Sequence, residues 1–120
     1  MKKILYIILI CTTIFNCTNV SEDDLIDSTP LPDLVTYEAD VKSIIDNNCL
    51  TCHGDPPTNG APRALVTYVQ VKDAVEHHNL IGRIDGSSPP LMPQGGPKLP
   101  QNLIDIIIQW EADGLLEHEH

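Results

Sequence analysis

Five consecutive residues, Cys49-Leu50-Thr51-Cys52-His53, hold the most reactive side chains of this chain. Two thiols at that spacing can add across the two vinyl groups of one porphyrin. The imidazole beside the second thiol is then held under the iron as a proximal ligand. Another candidate ligand lies far downstream. Apart from the initiator, the only methionine is Met92, in the stiff stretch Pro89-Pro90-Leu91-Met92-Pro93. A thioether carried on so constrained a loop makes a good sixth ligand. Imidazole nitrogen and thioether sulfur together hold iron low-spin and leave no open position, so an iron bound this way exchanges electrons and takes no substrate. The sulfur favours the ferrous state and raises the potential relative to two histidines.

Other chemistries use some of the same residues. A zinc module would take Cys49, Cys52 and downstream histidines. The adjacent pair His77-His78 does not match the His-x3–5-His spacing of such sites, and an exported thiol pair keeps zinc poorly. A thiol oxidoreductase would use the Cys-x-x-Cys pair alone, and it calls for a βαβ pattern that the sequence lacks. If Met92 is not bound, a five-coordinate haem could sense gases or act as a weak peroxidase. His77 and His78, at a helix end, are the rival imidazoles, whereas His118 and His120 belong to an acidic tail. Arg83 is either a surface charge or a partner for a haem propionate, since a guanidinium fork matches a carboxylate. Leu65, Leu91 and Trp110 either touch a haem or fill the core.

The chain has 120 residues, room for one domain and a leader. Met1-Lys2-Lys3 is a positive n-region, and the apolar run from Ile4 to Ile14 is too short for a membrane span, as in a secretory signal. Ile14-Phe15-Asn16-Cys17 is similar to a lipobox, which makes Cys17 the expected site of lipid attachment after cleavage of residues 1–16. The loose match, with Asn16 before the cysteine, resembles lipoproteins of the Bacteroidetes type. Ser21-Glu22-Asp23-Asp24 looks like the acidic tag that sends some of them to the cell surface. The expected address is therefore a lipid anchor in the outer membrane, on its periplasmic or outer face, after export across the inner membrane.

With Cys11 in the leader and Cys17 acylated, Cys49 and Cys52 are the only thiols left in the body, so no disulfide framework supports it. After Pro30 there is no Phe, one Trp and two Tyr. So small a core favours a cofactor that supplies apolar volume. From Cys17 onward five basic residues face 17 acidic ones, a formal charge of −12. This excess of acid argues against nucleic acid and against adsorption to anionic lipid, and it favours protein partners with a basic docking face.

The elements that must position these residues are helices. Residues 17–35 read as an acidic linker and 36–116 as the domain, with 117–120 as the tail. Thr36 is a suitable N-cap, and Tyr37, Val41, Ile44 and Ile45 fall on one helical face. Asn47-Asn48 ends that helix and passes the chain to Cys49. Gly54 to Pro62 is loop. Thr67 and Gln70 form a capping box for a second helix with Val71, Ala74 and Val75 inward, ending near His78-Asn79. Leu80 to Ile84 makes one further turn. Asp85 to Lys98 is too rich in proline and glycine for regular structure. Pro100 opens a last helix whose expected buried stripe is Leu103, Ile106, Ile107 and Trp110, with Gly114 as its terminal cap. Loops this long need an anchor.

The order of these features resembles the class I cytochrome c family, in its small monohaem lipoprotein and periplasmic forms. The resemblance covers about residues 37 to 115. It rests on Cys49-x-x-Cys52-His53 after a first helix, Met92-Pro93 in a late loop 39 residues beyond His53, and a final helix with Trp110. It implies an all-α fold of three main helices and long loops wrapped around one covalent haem c. It also implies thioether bonds to Cys49 and Cys52, iron ligation by His53 and Met92, and electron transfer rather than enzymatic turnover.

Overall fold

The computed structural model describes residues 30–119, and these are helical with no strand. The leader, Cys17 and the linker up to residue 29 lie outside the described residues. No helix among the described residues is long and apolar enough to cross a membrane.

The first helix opens with a π-helical segment, Tyr37–Val41, and continues as α1, Lys42–Asn48. Its start is capped reciprocally. Thr36 Oγ1 accepts the Ala39 N–H at 3.4 Å, and the Asp40 carboxylate accepts the Thr36 N–H at 2.8 Å. Tyr37, Val41, Ile44 and Ile45 are all buried, as their spacing predicts. The short α2, Leu50–His53, follows directly and contains most of the thiol–imidazole motif. Helix α3, Tyr68–His78, starts at the expected capping box and buries Val71, Ala74 and Val75. Asn79 ends it in the left-handed conformation, φ 53°, and so turns the chain at once into α4, Leu80–Asp85. Helix α5, Gln101–Ala112, is the last.

Two expectations need correction. In α5 the fully buried residues are Ile104, Ile107 and Trp110, whereas Leu103 and Ile106 are only half-buried flanks. Residues 103 to 108 include five aliphatic side chains, so the apolar pattern alone left the inward direction open by one position. The packed body also begins one residue earlier than expected. Val35 is fully buried, and its N–H donates to the Asp113 carboxylate at 2.8 Å.

The C-terminal segment locks the helices together. Helix α5 ends in a Schellman turn. The Gly114 N–H donates to Glu111 O at 3.1 Å and the Leu115 N–H to Trp110 O at 2.9 Å. Gly114 has φ 93°, which a glycine adopts without strain. The carbonyls that follow are shared out among other elements. Leu115 O accepts the Tyr68 hydroxyl, and Leu116 O accepts both the Trp110 indole and the Tyr37 N–H, at 2.8, 2.8 and 2.9 Å. Glu117 O accepts the Glu38 N–H at 3.2 Å, so the acidic tail starts as part of the body. Tyr37, Tyr68 and Trp110 pack as a trio with ring centroids 5.5–6.3 Å apart.

Trp110→Ala would remove both this packing and the indole bond. It should cost about 3–5 kcal/mol, read as a fall in the urea midpoint of unfolding followed by circular dichroism.

Candidate functional site: a cavity around the Cys-x-x-Cys-His turn

Helix α1 sets the direction of the motif. The Cys49 N–H donates to Ile45 O at 2.9 Å, and the His53 N–H donates to Cys49 O at 2.9 Å, so the five residues continue as helical turns. The loop after them folds back and pins them. The Thr58 N–H donates to Cys52 O at 2.8 Å, and the Thr58 hydroxyl donates to Thr51 O at 3.0 Å. The Leu65 N–H returns to His53 O at 2.8 Å. Gly54 permits the tight exit, because a Cβ there would lie 3.1 Å from Leu50 O.

The same loop orients the imidazole. His53 Nδ1 lies 2.9 Å from Arg63 O. A carbonyl only accepts, so Nδ1 bears the proton, and in the neutral ring Nε2 keeps its lone pair for a ligand. A backbone carbonyl behind a histidine in this way is the usual second partner of a metal-bound imidazole.

Met92 is placed by a parallel device. Its N–H donates to Arg83 O at 2.9 Å, and the Ser88 N–H donates to Gly82 O at 2.8 Å. These bonds fasten the proline-rich loop to α4. Met92 itself is half-buried against the core.

A cavity of about 560 Å³ joins the two halves, and Cys49, Cys52, His53 and Met92 all line it. Its size lies within the ~300–1,000 Å³ of small-molecule and cofactor sites. Apolar walls come from Leu65, Ala74, Leu80, Ile84 and Leu99. Leu65 is therefore a wall residue. Leu91 is exposed and absent from the lining, and Trp110 lies in the aromatic trio instead. His78 is exposed, with its side chain 38 % accessible, and it also borders the cavity, its Nε2 3.1 Å from the Asp73 carboxylate. His77 is more open and bonds the other oxygen of Asp73 at 3.1 Å. Arg63 escaped the sequence reading altogether. Its part is played by a backbone carbonyl, which no side-chain pattern announces.

The thiols are free rather than joined. Cys49 packs against the core, and burial pushes its thiol up to about 11. Asn59 Nδ2 lies 3.5 Å from Cys52 Sγ. A redox dithiol depends on a lowered thiol pKa, so the surroundings of Cys49 act in the opposite direction. Among the described residues, no group of three or more His, Cys, Asp or Glu could hold a metal ion, so the ligand set of a zinc module is not assembled there. No protein-family model, curated protein or solved structure matches this chain.

The raised Cys49 value has a measurable consequence. Relative to the ordinary 9.0, it reduces the thiolate present at pH 8 on the order of a hundredfold. In the chain made without a haem-attachment system, Cys49 should react with iodoacetamide slower by about that factor than in the urea-unfolded chain. Timed quenching and peptide mass spectrometry measure this rate.

Proposed function

We propose that this chain is a monohaem c-type electron carrier. The observation that supports it best is the single cavity lined by both thiols, by His53 with its Nε2 left free, and by Met92. Cys49 and Cys52 would carry the porphyrin by thioether bonds, and His53 and Met92 would ligate the iron. The bound haem c supplies a reversible one-electron centre.

The protein's own residues do the rest. The Arg63 carbonyl holds the His53 ring in one tautomer and one orientation. The Arg83 carbonyl fixes the backbone of Met92. Leu65, Leu80, Ile84 and Leu99 give the cavity apolar walls, and less polar surroundings favour the less charged, reduced form of a centre placed there. With both iron positions filled by protein, the chain is a carrier and not an enzyme. On this reading the helices and long loops form a cytochrome c-like shell. Partners are redox proteins with a basic docking face, and nucleic acid is not among them. A lipid on Cys17 holds the domain at the outer membrane.

Expression of the whole chain with a haem-attachment system tests this. The expected product is red, its haem survives acid–acetone extraction, and mass spectrometry finds one porphyrin on the peptide containing Cys49 and Cys52 and acyl chains on Cys17. A colourless product from a host that matures other c-type cytochromes would overturn the proposal. In the red protein, Met92→Ala should lower the reduction potential and let carbon monoxide bind the ferrous form readily. If spectrum and potential ignore that change, Met92 is not the ligand, and the five-coordinate sensor or peroxidase takes its place.

A further inference from the structure

The charge of the cavity wall contradicts the charge of the chain. The sequence carries 17 acidic residues and only seven Lys and Arg. Yet among the described residues no Asp or Glu lines the cavity, whereas Arg63 and Arg83 both do. Among the described residues, the ion pairs use Lys42, Lys72 and three histidines, and none includes either arginine. Lys98 also stands outside these ion pairs, but it does not line the cavity, whereas both arginines do.

The backbone of each arginine is already committed. Arg63 O receives the His53 ring N–H, and Arg83 O receives the Met92 N–H. Each arginine is thus one residue with two ends. Its carbonyl holds one candidate iron ligand, and its side chain is available to a negatively charged group.

We propose that Arg63 and Arg83 are the carboxylate-binding pair of this cavity, one guanidinium for each propionate of the haem, and that each arginine ties a propionate to the backbone carrying one iron ligand. This rests on the haem reading above. A guanidinium presents two parallel N–H groups that match a carboxylate, and such pairs are strongest where water is excluded. Two cations against two anions leave the wall near neutrality. Neutralised propionates also stabilise the ferric iron less, so the arginines raise the reduction potential. They are positioning residues and do not touch the iron.

The test uses the full holoprotein and reads the midpoint potential. Arg63→Gln and Arg83→Gln keep both backbone carbonyls and remove only the guanidinium. Each should lower the potential, and the double variant should lower it further. Arg63→Lys and Arg83→Lys keep the charge and should lie between wild type and the Gln variants. Lys42→Gln removes a cation that is bound to Asp46 at 2.7 Å and lies outside the cavity lining, and it should leave the potential unchanged. If a Gln variant takes up no haem while the Lys variant at that position loads normally, the proposal is also supported, because charge is then required for loading. Unchanged potentials in the loaded double variant would overturn it. So would an equal fall in Lys42→Gln, or loss of loading in the Lys and Gln variants alike. A colourless wild type is a different result, and it removes the haem reading itself.

Discussion

The segment Leu115–Glu117 is where the first helix and the last helix are joined. Its carbonyls accept from the first helix, from Tyr68 on α3 and from Trp110 on α5. These are donors from parts of the chain far apart in sequence, held by three consecutive residues. A hydroxyl, an indole and two amides would each be costly to bury unpaired, so closing this segment and packing the aromatic trio reinforce each other. The direction of the first helix follows from that closure. The direction of the thiol–imidazole turn follows from the helix, because Cys49 hydrogen-bonds back onto Ile45.

Around the cavity the backbone does work that would ordinarily be sought in side chains. One carbonyl sets the His53 tautomer, and another sets the position of Met92. Both belong to residues just outside regular helix or near its end, where carbonyls are not consumed by the helical ladder. The long loops are therefore not slack. The segment after His53 shares five hydrogen bonds with the motif it left, and the proline-rich loop is fastened to α4 at two points. Proline suits such a loop, because it limits the conformations the loop must give up to hold one geometry.

Much of this was legible in the sequence, for identifiable reasons. Thr36, the Thr67–Gln70 box, Asn79 and Gly114 mark helix ends by local chemistry, and local chemistry survives folding. The faces of the first helix and α3 were clear because polar residues interrupt the apolar ones at the right spacing. Helix α5 has too many aliphatic residues in succession for that, so Ile104 was missed as its innermost residue. Val35 was missed for another reason. Its burial depends on an acceptor, Asp113, that is 78 positions away. At the cavity, the residue types of Cys49, Cys52, His53 and Met92 were conspicuous. The convergence of Arg63 and Arg83 on the same wall was not, because nothing local links two arginines separated by a helix and two turns.

The burial of Cys49 also bears on how the protein is made. A thiol held up to about 11 is almost wholly protonated near neutrality, and bond-forming chemistry at sulfur proceeds through the thiolate. Once the helices have closed, that sulfur reacts more slowly with oxidants and with electrophiles alike. Covalent modification of Cys49 is therefore faster in the still unpacked polypeptide, and the finished fold preserves the result of an event that it would itself have slowed.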